Sequence, residues 1–131
     1  MSNAVQLIVV RAVDLERTRR FYEALGCVFA SEQHGNGPQH YSCRREGMVF
    51  EVYPSRAGSA PDWKSGGATM LGFKVTDLEA CLVQLKADGA ALLTQPKDSP
   101  WGRYVMVADP DGRAVQLSCE LVFPAADGGN D

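Results

Sequence analysis

Several features that would mark a function class at once are missing from this sequence. No apolar run approaches the length needed to cross a membrane, and the N-terminus lacks the basic-then-apolar pattern of a secretory signal. Positive charge is not in excess, because the chain has 13 Lys and Arg residues and 16 Asp and Glu residues, which gives a net charge of −3. The basic residues are also scattered along the sequence. We therefore expect a cytoplasmic protein with no nucleic-acid partner and no membrane partner.

Histidine and paired cysteine, the usual zinc ligands, are also scarce. The chain has two histidines, and its four cysteines lie far apart with no C-x-x-C pair. In a reducing compartment such cysteines are expected to be small buried hydrophobic residues rather than disulfides or zinc ligands. No serine or cysteine stands in a recognisable nucleophile motif, so covalent catalysis is not indicated.

The sequence does contain one pattern twice. Segments 7–26 and 70–89 each open with an apolar run, pass through Asp-Leu-Glu, continue with helical spacing and close on glycine. Asp14 and Asp77 are 63 positions apart, and so are Gly26 and Gly89. This repeat indicates an internal duplication, because a strand, a helix cap, a helix and a helix-ending glycine recur in the same order with the same spacing of 63 residues.

Each copy continues into further strands. Alternation and turn residues predict the following strands: 5–11, 27–32, 39–44 and 48–53 in the first half, and 69–75, 91–95, 102–108 and 114–119 in the second. The Asp109-Pro110-Asp111-Gly112 sequence is typical of a tight turn before the last strand. The prediction is an α+β fold of two tandem β-α-β-β-β modules at 1–53 and 68–119, with a linker at 54–67 and a tail at 120–131.

This organisation resembles the vicinal oxygen chelate superfamily, which includes glyoxalase I, the bleomycin resistance proteins and extradiol dioxygenases. The resemblance rests on the paired modules, the Asp-Leu-Glu helix starts, Phe21-Tyr22-Glu23 ahead of Leu25-Gly26, Glu51, and the turn at 109–112. It implies a curved mixed sheet with helices on its convex side, the glyoxalase/bleomycin resistance fold, and a ligand cleft on the concave side. It also implies a homodimer in which both subunits wall the cleft and cover otherwise unpaired sheet edges.

The resemblance places metal ligands at four positions, commonly His, Glu, His and Glu. The matching positions here are Leu7, Glu51, Met70 and Gln116. A divalent ion requires several imidazole or carboxylate ligands. Leucine offers no donor atom, methionine offers only a soft thioether, and glutamine offers only a carboxamide. We therefore expect no metal and no cofactor.

Strand alternation nevertheless defines a candidate ligand-binding face. In segment 48–53 it directs Val49, Glu51 and Tyr53 toward the concave side. The same parity count, with one histidine and two indoles from loops and strand ends, adds the following residues: Leu7, Val9, Arg11, His40, Trp63, Met70, Gly72, Lys74, Trp101, Gln116 and Ser118. An apolar surface with a few polar groups is typical of a small-molecule site.

Two parts of this set have competing interpretations. One interpretation is that Glu51 contacts a ligand, which includes a role as a catalytic acid or base. The other is that it only neutralises Arg11 or Lys74. Trp63 and Trp101 either stack on a planar ligand or pack as structural residues.

The two histidines flank a glycine-rich loop. One interpretation makes His34 an exposed loop residue and His40 a strand-edge residue, and the other gives one of them a general-base role.

Together these features favour a metal-independent small-molecule binding protein which, like the bleomycin resistance proteins, sequesters a small planar or amphipathic compound. The alternative is a lyase, isomerase or dioxygenase of the same superfamily that uses a metal in an altered site, or acid–base chemistry at Glu51.

Overall fold

The computed structural model describes residues 3–56 and 62–120, and these contain two helices and eight strands. The first half comprises β1 (Leu7–Ala12), α1 (Leu15–Glu23), β2 (Ala30–Glu32), β3 (His40–Arg45) and β4 (Met48–Pro54). The second comprises β5 (Leu71–Lys74), α2 (Leu78–Ala87), β6 (Lys97–Ser99), β7 (Gly102–Ala108) and β8 (Ala114–Cys119). The predicted α+β fold of two β-α-β-β-β modules is confirmed. Residues 57–61 of the predicted linker and 121–131 of the predicted tail lie outside the described residues.

Each module forms one four-stranded mixed sheet. The strand order is β1-β4-β3-β2 in the first sheet and β5-β8-β7-β6 in the second. In both sheets the first and last strands of the module run parallel, and the other neighbours are antiparallel. The shared topology agrees with the duplication inferred from the sequence.

The helix signals act as predicted. The carboxylates of Asp14 and Asp77 each accept a hydrogen bond of 3.0 Å from the backbone N–H three residues later, which satisfies a free donor at the helix start. Gly26 and Gly89 follow the two helices with φ of 105° and 88°, the left-handed conformation that ends a helix and that glycine adopts without strain.

One predicted strand is wrong. Segment 91–95 forms only an isolated bridge between Leu92 and Val107, and the edge strand of the second sheet is Lys97–Ser99 instead. The backbone N–H groups of Leu93 and Thr94 both donate to the carbonyl of Met106, at 2.8 and 3.3 Å. Two residues therefore oppose one, and this bulge interrupts the ladder. The predicted strand at 27–32 is likewise shortened to Ala30–Glu32.

A single hydrophobic core joins the two modules. The fully buried ring of Tyr22 meets Phe50 of the first sheet edge-on at 4.9 Å and Phe73 of the second sheet at 5.8 Å. The side chains that β1 and β4 direct into this core are the even-numbered ones, as in Val10 and Val52. The odd-numbered side chains of the same strands are thus left on the face away from the helices.

The predicted turn at 109–112 holds the modules together through a buried carboxylate. Asp109 accepts hydrogen bonds from the Tyr22 hydroxyl and from Nη1 of Arg113, both at 2.7 Å. Its other oxygen accepts the backbone N–H groups of Asp111 and Arg113, each at 2.9 Å. A charge removed from water is tolerated because it is paired and fully hydrogen-bonded.

The cysteines behave as expected from the sequence. All four are free thiols; Cys27, Cys43 and Cys81 are buried, and Cys119 is half-buried. Burial, together with the neighbouring Cys43, raises the pKa of Cys27 to about 12. The thiol of Cys27 is therefore protonated at neutral pH and unsuited to act as a nucleophile.

Among residues 3–56 and 62–120, neither helix has the length and apolar character needed to span a bilayer.

Candidate functional site

Each sheet has one face turned away from the helices. The first open face carries odd-numbered residues of β1 and β4, even-numbered residues of β3, and Glu32 of β2. The second open face carries Gly72, Lys74, Tyr104, Gln116 and Ser118. The alternation predicted for these strands is confirmed in β1, where Val10 and Ala12 are buried and Leu7, Val9 and Arg11 are exposed.

A row of four polar or aromatic side chains crosses the first open face, one from each strand. Strand register pairs Arg11 with Tyr53 and His40 with Glu32. The Tyr53 ring stacks on the His40 ring with centroids 4.1 Å apart and planes 9° from parallel. The guanidinium carbon of Arg11 lies 5.1 Å from the centroid of the Tyr53 ring, a cation–π contact.

Glu51 lies in the next row of this face, and the cation partners predicted for it are wrong. Its side chain is 13% exposed, and its Oε2 is 3.7 Å from Nε2 of His40. Arg11 stacks on Tyr53 instead, and Lys74 pairs with Glu120 at 2.6 Å in the other module. In the described part of the chain, His40 is therefore the basic side chain that lies within 4 Å of Glu51.

His40 is not the strand-edge residue that the sequence suggested. It begins β3, an inner strand of its sheet, and is only 1% exposed. Its Nδ1 lies 3.2 Å from the carbonyl oxygen of Pro38, whereas its buried Nε2 has no hydrogen-bond partner within the described part of the chain. His34 is the exposed loop residue expected, and its ring centroid is 5.1 Å from that of His40.

Sequence reasoning missed Glu32. Its Oε1 lies 3.5 Å from His40 Nε2 and 3.6 Å from His34 Nε2, and its Oε2 lies 3.6 Å from Nη2 of Arg44. The signal available was its place at the end of a predicted strand, across a short loop from the strand that begins near His40.

The second open face holds a cavity of about 440 Å³. Its lining residues are Ser99, Trp101, Gly102, Tyr104, Gln116 and Ser118. Trp101 is 80% exposed and approaches Tyr104 edge-on at 6.3 Å, so the interpretation of Trp101 as a packed residue is wrong. Trp63 is half-buried beneath the ammonium of Lys64 at 5.1 Å and does not line this cavity.

The two open faces are separate within one chain. Two of the hydrogen bonds that join the modules involve α1 and its C-terminal end, namely Tyr22 to Asp109 and Cys81 to the carbonyl of Ala24, and all residues that line the cavity of the second face belong to the second module. The candidate residues of the first face, from Leu7 to Tyr53, therefore do not share a pocket with Gln116 and Trp101 in the monomer.

The four positions at which the family resemblance places a metal do not fit one. Leu7 and Glu51 belong to the first open face, whereas Gln116 lies on the second and Met70 just precedes β5. Glu51 is the one strong ligand among these four residues, and they are divided between two surfaces. No chemistry of this chain can therefore be assigned to a metal held at these positions.

Comparison with known proteins agrees with this fold. The model of a family described as the Glyoxalase/Bleomycin resistance protein/Dioxygenase superfamily matches residues 4–117. A glyoxalase-related enzyme from Fulvimarina pelagi is 24% identical, with a TM-score of 0.69 over 94% of this chain and 92% of that chain. A glyoxalase/dioxygenase from Nostoc punctiforme is 20% identical, with a TM-score of 0.73 over 91% of this chain and 92% of that chain. The structure called oxidase ChaP-H2 is 16% identical, with a TM-score of 0.68 over 92% of this chain and 96% of that chain. No curated protein matches this chain.

Proposed function

This chain belongs to the Glyoxalase/Bleomycin resistance protein/Dioxygenase superfamily, and we propose that it is a cytoplasmic protein that binds and sequesters a small planar or amphipathic compound. Binding on this proposal requires no metal at the four family positions. The observation that carries it is the cavity on the second open face, which is lined by two aromatic rings and several polar side chains.

The cavity has the size and composition of a small-molecule site. Its volume of about 440 Å³ lies within the roughly 300–1,000 Å³ of such sites. Trp101 and Tyr104 offer ring faces for a planar compound, and Gln116, Ser99 and Ser118 offer hydrogen-bonding groups beside them. Aromatic surface combined with a few polar groups favours a ligand that is itself partly apolar and partly polar.

We further propose that the chain acts as a homodimer in which the first open face of one subunit lies opposite the second open face of its partner. Leu7, Val9 and Met70 are apolar and exposed by 55%, 38% and 49% in the single chain. Pairing would cover this apolar surface and would bring Glu51 to the same ligand as Gln116 of the partner subunit. Glu51 would then accept a hydrogen bond from a donor on the ligand.

An enzymatic function with an altered metal site is the second candidate. A lyase, isomerase or dioxygenase of this superfamily would need metal ligands other than Leu7 and Met70. One observation favours it: two histidines and a carboxylate lie together on the first open face.

The binding proposal can be tested with 8-anilinonaphthalene-1-sulfonate, a planar amphipathic fluorophore. We expect saturable binding at one site per chain. Trp101→Ala should weaken it by roughly 2- to 12-fold, because aromatic pairs contribute about 0.5–1.5 kcal/mol beyond buried area.

A matched control removes an exposed apolar side chain from the opposite side of the module. Val83→Ala on α2, where Val83 is 70% exposed, should leave the affinity unchanged. Equal affinities for wild type, Trp101→Ala and Val83→Ala would place the binding elsewhere. Native mass spectrometry of freshly purified protein would then identify any compound that the chain retains from its source.

A further inference from the structure

We propose that the first open face carries a binding site for one divalent transition-metal ion, with Glu32, His34 and His40 as its protein ligands. None of the three occupies a position at which the family resemblance places a metal. The proposal does not depend on the small-molecule cavity, which belongs to the other sheet.

The spacing of the donor atoms fits a metal better than it fits direct hydrogen bonds. Glu32 Oε1 is 3.6 Å from His34 Nε2 and 3.5 Å from His40 Nε2, whereas a hydrogen bond between such groups is about 2.7–3.2 Å long. Zinc binds imidazole nitrogen and carboxylate oxygen at about 2.0–2.1 Å, so two ligands at a tetrahedral angle lie about 3.3–3.4 Å apart. One donor atom from each residue lies within 4.8 Å of the other two.

The orientation of His40 is an independent observation that points to a cation. If Nδ1–H donates to the Pro38 carbonyl 3.2 Å away, the lone pair of Nε2 faces carboxylate oxygens of Glu32 and Glu51, at 3.5 and 3.7 Å. Nε2 is buried and unpartnered, and the side chain is 1% exposed. A lone pair facing two negative oxygens is repulsive unless a positive species lies between them. A backbone carbonyl that fixes the tautomer in this way is a common support for a metal-binding histidine.

Neighbouring side chains hold two of the ligands in place. Tyr53 stacks on the His40 ring at 4.1 Å and restricts its rotation. Arg44 Nη2 lies 3.6 Å from Glu32 Oε2, which turns Oε1 of Glu32 toward the histidines. Only His34, with a side chain 72% exposed, stands on the solvent side of the group. The site is thus largely preformed, with His34 as the ligand at its entrance.

The donor set indicates which ions would bind. Two imidazoles and one carboxylate suit Zn²⁺, Co²⁺, Ni²⁺ or Fe²⁺, whereas Mg²⁺ and Ca²⁺ prefer oxygen ligands alone. Three protein ligands leave the fourth position of a tetrahedral ion free for water or another molecule. Glu51, 3.7 Å from His40, lies next to the group and adds negative charge beside it.

The test uses the whole chain, freed of metal with a chelator and then titrated with Zn²⁺ in a calorimeter. We expect one Zn²⁺ per chain. His34→Ala and Glu32→Gln should each weaken binding by more than about 100-fold, since even residues that only support a ligand contribute about 10- to 100-fold. His34 is exposed, so its variant should keep the wild-type melting temperature without metal. Glu79→Gln is the matched control, because Glu79 is 70% exposed on α2, away from the site, and its variant should bind Zn²⁺ like wild type.

Co²⁺ distinguishes the proposed ligands from the cysteines. We expect visible bands typical of nitrogen and oxygen ligands, without the near-ultraviolet charge-transfer absorption that thiolates give. The proposal is overturned if wild type shows no saturable Zn²⁺ binding. It is also overturned if both variants bind like wild type, or if Co²⁺ shows thiolate absorption. None of these results would affect binding in the cavity of the second sheet.

Discussion

Removing the Tyr22 hydroxyl should weaken the junction between the modules by a predictable amount. Tyr22 is fully buried, and its hydroxyl donates to Oδ2 of Asp109, itself 3% exposed, at 2.7 Å. Tyr22→Phe deletes this hydrogen bond but keeps the ring that packs on Phe50 and Phe73. The effect of the variant is therefore that of one buried hydrogen bond to a charged group.

The expected loss lies toward the lower end of the range for such bonds. Hydrogen bonds to charged groups contribute about 1.5–3 kcal/mol to the free energy of unfolding. Asp109 keeps Arg113 at 2.7 Å and two backbone N–H donors at 2.9 Å, so its charge is not left unpaired. We expect a loss of about 1.5–2 kcal/mol, or roughly 5–10 °C in Tm for a domain of this size.

Thermal and urea unfolding followed by circular dichroism measure this loss, at one fixed protein concentration so that assembly does not alter the comparison. Tyr41→Phe is the control, because the Tyr41 hydroxyl donates to Glu16 at the surface, where such a bond contributes about 0–1 kcal/mol. If Tyr22→Phe cost no more than Tyr41→Phe, the inferred role of the buried network would be refuted.

The difference in stability between wild type and Tyr22→Phe should depend on pH. Burial, and then the negative charge of Asp109, raise the pKa of Tyr22 well above its ordinary value. A pKa that is raised in the folded state gives stability that is complete below the unfolded value of about 10 and is lost as the pH rises above it. Wild type should therefore lose more stability than Tyr22→Phe between about pH 9.5 and 11.

Two predictions concern the open faces. Glu51→Gln should weaken binding of the planar fluorophore and shift the melting temperature by no more than a few degrees, because the amide keeps the shape of the carboxylate but not its charge. A lowered melting temperature with unchanged affinity would instead limit Glu51 to a structural role. Sedimentation at micromolar concentration should show a dimer, since Leu7, Val9 and Met70 are exposed in the single chain, and a monomer would contradict the proposed pairing of the two faces.

The helices and most strands could be predicted because their signals are local. Asp14 and Gly26 mark the limits of α1 through backbone groups within a few residues, and periodicity identifies its buried side. Segment 91–95 was mispredicted because its pairing depends on β7, where Leu93 and Thr94 share the carbonyl of Met106. The shared carbonyl belongs to another strand, so the sequence of segment 91–95 does not by itself indicate the bulge.

Alternation also assigned most candidate side chains to the correct face, since successive residues of a strand point to opposite sides. It could not show which faces meet. The interpretation that pairs Glu51 with Lys74, one of two left open for Glu51, requires both sheets to enclose one pocket within the chain, whereas Lys74 pairs with Glu120 in its own module. The relative placement of the sheets is set by the core around Tyr22, which alternation within a strand does not describe.

The cluster of Glu32, His34 and His40 shows how finely the site depends on strand register. The predicted strands 27–32 and 39–44 place Glu32 opposite Gln39 if their ends are aligned, whereas the structure pairs Glu32 with His40. Because residues directly opposite each other share a face, this shift by one residue replaces an amide with an imidazole beside the carboxylate. The resemblance to the family places metal ligands on or near the first and last strands of each module, and there this chain carries Leu7 and Met70 in place of the two histidines. Its two histidines instead flank the loop between β2 and β3, and only the pairing of those strands brings His40 beside Glu32 and within 3.7 Å of Glu51. The absence of both histidines at the family's positions therefore argues against a metal at those positions alone. Whether another part of the sheet can bind a metal depends on the strand register there.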